Sequence, residues 1–318
     1  MRLALYLLAL AAAPVFAQQY PARAVRLIVA SSPGSGVDIV ARIVAQKASA
    51  GLGQQVIVDN RAGAGANLGA EIAAKSPPDG YTLLMGTPAH AINVSLYSGL
   101  SYDVIRDFAP VSLISTGQYV VIVHPSVPAR TAKELIAIAK AKPGALAFGS
   151  AGAGNSTHLA GELFNSMAGI KMLHVPYRGS GPALIDLQSG QLQVMFANIT
   201  AGLPFIRNQR VRGLAVTGPK RSSQAPDLPT VAEAAIPGYA VTSFFGVLAP
   251  TGTPAAVIAK LNGEFVKAAH SKDVQASLAN EGAEAIGSSP EEFAAYIRAE
   301  IPRWTSAVKT AGLQGQVK

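Results

Sequence analysis

The chain has 318 residues, 49% apolar and only 14% charged, with no cysteine, five histidines and a formal net charge of +8. This composition excludes disulfides, thiol nucleophiles, Cys-ligated zinc and iron–sulfur centres, and it is too apolar for a disordered chain. The Lys and Arg residues are scattered without a run or interleaved aromatics, so no nucleic-acid partner is expected, and the length suggests about two domains.

Met1-Arg2 precedes an apolar run from Leu3 to Ala13, then Pro14 and the small-residue site Val15-Phe16-Ala17. Residues 1–17 read as a secretory signal peptide cut before Gln18. A buried N-terminal helix is the weaker alternative, because it would leave the run uncovered. No later stretch approaches ~18 apolar residues, so the mature chain is expected to be exported and soluble. Export without cysteine suits a bacterial periplasm.

Strands and helices then alternate. Val25 to Val29 reads as a strand, Val37 to Lys47 as a helix, Gln55 to Val58 as a strand, Ala66 to Lys75 as a helix and Tyr81 to Met85 as a strand. This rhythm implies a parallel sheet with right-handed crossovers. The pattern restarts with a strand at Tyr119 to Val123 and a helix capped by Thr131 with Glu134 three residues on. Strands follow at Leu146 to Phe148, Met172 to Val175, Gln193 to Phe196 and Val211 to Thr217, with helices at Thr157 to Met167 and Pro182 to Gln188. After a strand at Val241 to Leu248 the rest reads as helical, starting at Pro254, Lys272 and Ser289. Two such units suggest two α/β lobes.

Three glycine-rich loops open helices: Ser31 to Asp38, Asn60 to Gly69 and Gly149 to His158. Glycine lets backbone approach a ligand, and unpaired N–H groups at a helix start attract an anion. None matches a dinucleotide fingerprint, since Ile39 and Leu68 stand where a third glycine is needed, and none holds the Gly-Lys-Ser/Thr of a P-loop. One such turn alone is weak; three at strand-to-helix junctions point to a small-anion cleft. Asp38 suits the helix dipole, and the structural role is favoured. Ser156 and His158, at i and i+2, do not face each other, and no nucleophile elbow frames the serine. His124 and His174 read as structural, and Glu291-Glu292 as a helix start. No catalytic or metal-binding constellation and no cofactor site are expected.

Several further stretches carry a resemblance: Pro33-Gly34-Ser35-Gly36-Val37-Asp38, Asn60-Arg61-Ala62-Gly63-Ala64-Gly65, Pro78-Asp79-Gly80-Tyr81-Thr82, His174-Val175-Pro176-Tyr177-Arg178-Gly179, Asp227-Leu228-Pro229-Thr230-Val231 and Phe245-Gly246-Val247-Leu248-Ala249-Pro250. In this order the chain resembles the Bug-type (TctC-like) periplasmic solute-binding proteins, the receptors of tripartite tricarboxylate transporters. The resemblance implies a two-lobed type II periplasmic-binding fold, each lobe a mostly parallel sheet flanked by helices. Lobe 1 would comprise residues 18–121 and 246–318 and lobe 2 residues 122–245. It implies a monomer binding a small organic carboxylate in the cleft and delivering it to transporter membrane subunits. A sensor handing its liganded form to a signalling partner is the alternative, and a secreted hydrolase a more remote one. The expected ligand-binding residues are Ser32, Gly34, Ser35, Gly36 and Asp38 in the first loop and Thr87 and Ala89 beside it. In lobe 2 they are Ser150, Gly154, Asn155, Ser156, Thr157, His158 and Asn198. Two departures stand out: the first loop lacks the family's Pro-Gly-Gly, and Ala197 replaces a frequent Asp, which argues against an amino-acid ligand.

Overall fold

The computed structural model describes residues 20–315, so the expected signal peptide lies outside the described residues. The first unit runs β1 (Val25–Val29), α1 (Gly36–Leu52), β2 (Val56–Asn60), α2 (Asn67–Ala74), β3 (Thr82–Gly86) and α3 (Pro88–Leu96). β1 and β3 are buried on both faces, as inner parallel strands covered by helices must be, whereas the edge strand β2 leaves Ile57 exposed. A 16-residue strand, β4 (Phe108–Val123), leads into the second unit. That unit comprises α4 (Ala132–Ala141), β5 (Ala147–Ser150), α5 (Ser156–Ala168), β6 (Leu173–Pro176), α6 (Ser180–Gln188), β7 (Val194–Asn198), α7 (Ile199–Arg207), β8 (Arg212–Val216) and the short α8 (Val231–Ala234). The chain returns through β9 (Thr242–Pro250), α9 (Ala255–His270), α10 (Lys272–Asn280), β10 (Glu284–Ala285) and α11 (Pro290–Thr310).

The sheet path is β2-β1-β3-β9-β4-β7-β5-β6, with β8 and β10 paired to β4 off this path. Pairings of β1 with β2 and β3, and of β5 with β6 and β7, are parallel. The antiparallel ladders all involve β4 or β9, the strands that carry the chain between halves. β4 pairs with β9 from Phe108 to Gln118, then with β7 and β8 from Tyr119 onward. One continuous strand therefore serves two sheets, and its ladder partners change between Gln118 and Tyr119.

Each sheet has a buried apolar layer on both faces. Val40, Val44, Leu261 and Phe265 cover one face of the first sheet, and Ala70, Phe293 and Ile297 the other. In the second half Phe148, Phe164, Phe196 and Tyr239 fill one face, and Leu184, Leu187, Met195 and Leu203 the opposite one. α11 bridges the halves: Phe293 and Ile297 belong to the first half's core, Trp304 and Val308 to the second's. Between them Glu300, 5% exposed, accepts from Trp304 Nε1 at 2.8 Å and Arg303 Nη1 at 3.0 Å.

The expected elements fall close to those observed, with omissions. The first eleven residues of β4 escaped because Pro110, Ser112, Ser115, Thr116, Gly117 and Gln118 interrupt its apolar character, and two register shifts accommodate them. α3, α7 and the short α8 are not among the expected elements. The stretch beyond Leu248 is not wholly helical, since β10 pairs antiparallel with Thr116 and Ser115 of β4.

Candidate binding site between the lobes

Each sheet has a topological switch point. In the order β2-β1-β3 the chain leaves β1 toward one side and crosses to the other for β3; β6-β5-β7 repeats this. Loops after the two strands at each switch diverge and leave a crevice at the carboxyl ends. The two crevices face each other and form one inner chamber of about 40 Å³. Six helices begin at its wall: Ser35 caps α1, Ala66 α2, Thr87 α3, Asn155 α5 and Asn198 α7, and Ser180 is the first residue of α6. The wall carries no ionisable carboxylate, ammonium or guanidinium. Each helix start carries roughly half a positive charge from the helix dipole. An anion in the chamber would be met by helix starts and not by a formal cation.

In the first lobe the loop is held from behind. Asp38, 2% exposed, accepts from Gly34 N at 2.9 Å, Asn60 Nδ2 at 2.9 Å and Arg42, so its carboxylate is consumed in shaping the turn. The hydroxyls of Ser32 and Ser35 are buried without a hydrogen-bond partner among the described residues. Ser35 also lines the chamber. A buried unpaired hydroxyl costs about 1–3 kcal/mol, a cost removed when a ligand oxygen accepts from it. His90 Nδ1 accepts from Thr87 N at 3.0 Å, fixing the start of α3. Burial lowers the His90 pKa to about 4, so the ring is neutral. Ala66 holds φ 81 at the chamber wall, a left-handed conformation that costs a non-glycine residue about 1–2 kcal/mol.

The second lobe's face is satisfied internally. Asn155 Oδ1 accepts from Thr157 N and from the hydroxyls of Ser156 and Thr157, and Thr157 Oγ1 accepts from Ala151 N at 2.8 Å. Asn198 accepts from Thr200 N at 3.1 Å and donates to Ser243 Oγ at 2.8 Å. Behind the loop the rings of His158 and His174 stack at 3.8 Å beside Phe148. His174 Nε2 lies 2.7 Å from Ser150 Oγ, and His158 Nδ1 accepts from Gly154 N at 3.2 Å. Burial, then the neighbouring His158, lowers the His174 pKa to about 3.

Of the fourteen expected positions, Ser35, Gly36, Thr87, Asn155, Ser156, Thr157 and Asn198 meet at the inner chamber. Ser32, Gly34, Asp38, Ala89, Ser150, Gly154 and His158 are not part of its wall. Gly34, Asp38, Ser150 and His158 shape the loops from behind, and Ala89 packs with Ala30 and Ala66. Gly154 lies against α3, where an added Cβ would sit 2.4 Å from Leu96 Cδ2. His158 is turned to Gly154 and Glu162, so it does not serve Ser156 as a base. Ala197 belongs to the apolar face of β7, because neighbouring strand residues point opposite ways. The identity of residue 197 therefore does not speak to a ligand ammonium. Tyr119, Ser180 and Phe245 line the chamber unanticipated; only the junction at which their elements start or cross marks them.

Two α/β lobes joined by shared strands, with a chamber free of charged side chains between them, define a solute-binding protein of the periplasmic type. The chain matches the family described as Tripartite tricarboxylate transporter family receptor over residues 40–313. It is 38% identical to Protein BugT of Bordetella pertussis over 95% of this chain and 93% of that one. The R. palustris protein Rpa4515, solved with adipate, aligns with a TM-score of 0.90 and 38% identity, covering 92% of this chain and 98% of that one. MatC from Rhodopseudomonas palustris, solved with bound malate, aligns with a TM-score of 0.88 and 31% identity, covering 91% and 100%. The chain belongs to the tripartite tricarboxylate transporter receptor family, whose members are solute receptors and not enzymes.

Proposed function

We propose that this protein binds a small organic carboxylate in the inner chamber and delivers it to the membrane subunits of a tripartite tricarboxylate-type transporter. The observation that carries the reading is the convergence of six helix starts and the idle Ser35 hydroxyl on a chamber without formal charge. The adipate and malate held by the two R. palustris relatives support the carboxylate class. The ligand-contacting set is Ser35, Gly36, Thr87, Asn155, Ser156, Thr157 and Asn198, joined by Tyr119 and Ser180. The lobes divide as residues 18–121 with 246–318 and residues 122–245, and residues 1–17 act as a cleaved leader to the periplasm. Closure excludes water from the carboxylate, which strengthens each hydrogen bond to it.

The test is calorimetry on protein unfolded and refolded to strip carried-over ligand, titrated with mono-, di- and tricarboxylates and their methyl esters. Binding by an acid and loss of it in the ester are expected. No heat from any acid, or equal affinity for acid and ester, overturns the reading.

A further inference from the structure

The formal charge is divided unequally between the lobes. Residues 20–121 and 246–315 hold thirteen Lys and Arg against thirteen Asp and Glu, whereas residues 122–245 hold eleven against five. Pairing follows the same division. Ten of the thirteen first-lobe cations lie in ion pairs, among them Arg26 with Asp59, Lys47 with Asp273 and Lys260 with Glu264. Among the described residues of the second lobe, Arg221 with Glu233 is the only ion pair of a Lys or Arg. The first lobe is thus neutral and locally balanced, and the second carries a net +6 that its own acids do not offset. Five of its cations share one outer face. On α4 the buried side is Ala132, Leu135 and Ala139, which leaves Lys133, Ala137 and Lys140 on the stripe away from the core. The two lysines stand two turns apart, roughly 10 Å along the axis. Arg130 precedes this helix and Lys142 follows it, both exposed. Gly144 N donates to Lys171 O at 2.8 Å, which sets Lys171 beside the turn of Lys142. None of these five side chains makes an ion pair or hydrogen bond among the described residues. Glu134 is the one acid on the α4 face, and its carboxylate accepts from Arg130 N at 2.6 Å. Leu173, 58% exposed on the edge strand β6, adds an apolar side chain two residues from Lys171.

We propose that this lysine-rich face of the second lobe is a contact surface for an anionic lipid bilayer. The lysine ammonium is a compact, strongly hydrated point charge on a flexible stem, suited to a diffuse layer of lipid phosphates. Cations near an anionic lipid surface each add to the attraction, which fades within a Debye length. A protein partner would call for aromatic and Arg anchors at the centre of the patch, where Lys is depleted. Residues 130–146 and 166–173 contain no aromatic side chain. No described helix is long and apolar enough to cross a bilayer, so the contact is electrostatic and confined to the membrane surface. None of the five cations lines the inner chamber, so lipid contact leaves the ligand site open. The neutral first lobe gains nothing from the lipid and stays free to move against the second.

The test is flotation of the full protein with vesicles of phosphatidylcholine alone and of phosphatidylcholine with about one-third phosphatidylglycerol, at low salt and at about 0.5 M salt. Wild type is expected to bind the anionic vesicles at low salt at least about 10-fold tighter than the neutral ones, and to be released at high salt. Lys133→Glu/Lys140→Glu should lose at least about 10-fold of that affinity. Lys272→Glu/Arg298→Glu makes the same charge change on exposed, unpaired cations of the first lobe and should lose under about three-fold. Thermal melts of both variants report that they are folded. Equal losses in the two variants would assign the binding to net charge and overturn the face. Binding that is equal for neutral vesicles, or that persists at high salt, overturns the electrostatic contact. No binding to anionic vesicles at low salt overturns the lipid surface, and an acidic protein surface then takes its place as the occupant. The assay contains no small carboxylic acid, so its outcome is independent of the carboxylate reading of the inner chamber.

Discussion

The two lobes present the same β-α-β switch point to the ligand and stabilise it by different chemistry. In the first lobe a buried ionic brace, Asp38 with Arg42 and Asn60, holds the loop from behind while the Ser32 and Ser35 hydroxyls have no partner among the described residues. In the second lobe Asn155, Ser156 and Thr157 bond to one another, Asn198 bonds to Thr200 and Ser243, and a histidine stack supports the loop. The difference teaches which groups gain on binding. A hydroxyl already bonded exchanges one partner for another, whereas an idle one gains outright. On the proposed reading the second lobe acts as a preset receptor surface, and the first supplies in Ser35 a hydroxyl whose bond forms only around the ligand. Only such differential contacts shift a population toward the closed form.

The largest expected effect comes from blocking the approach of the lobes. A Cβ on Gly36 would sit 2.6 Å from Asn198 Oδ1, and that side chain is anchored by Ser243 and Thr200. Gly36→Val is expected to weaken ligand binding by at least about 100-fold, close to 3 kcal/mol, with little change in the melting temperature of the ligand-free protein. Calorimetry and small-angle scattering check this, the variant keeping its ligand-free radius when acid is added.

Each switch point leans on one neutral histidine, His90 in the first lobe and His174 in the second. Both native pKa values lie below the unfolded value of about 6.5. The unfolded chain therefore binds more protons between that pH and the native pKa values of about 4 and about 3, so stability rises with pH through this window. It is fully present above about pH 6.5 and lost on acidification, at about 2 kcal/mol per histidine by pH 4.5. Denaturant melts across pH 4.5–7.5 test the slope, and His90→Asn should flatten it by roughly half.

A paired substitution sharpens the contrast of idle and occupied hydroxyls. Ser35→Ala should weaken binding by about 10-fold while leaving the protein as stable or slightly more so. Thr157→Val removes the acceptor for Ala151 N, and should cost about 1–2 kcal/mol of stability whatever its effect on affinity. Titration and thermal denaturation of both variants decide it; equal stability losses would erase the distinction between the lobes. The smallest effect is expected at Ala66, where Ala66→Gly relieves the left-handed backbone and should stabilise the fold by about 0.5–1 kcal/mol in thermal melts.

The repeated strand-to-helix rhythm, the loop positions and the chemistry of small polar and glycine residues at helix starts were legible in the chain itself, because periodicity and capping are local properties. Asp38 illustrates the limit: its place in the first turn of α1 predicts a structural carboxylate, but only the fold brings Asn60 and Gly34 to it. Which of the fourteen expected residues reach the chamber and which brace it from behind depends on loop curvature, which spacing does not encode. Tyr119 reads locally as one more apolar strand residue and becomes a wall of the site because β4 changes sheets there. The amino-acid sequence by itself determined the two α/β units, their family and an anion-seeking cleft. The tertiary structure alone decided that six helix starts meet in one uncharged chamber and that Ser35 is left idle in it. Each of these depends on segments far apart in the chain being packed against one another, and no local pattern carries that information.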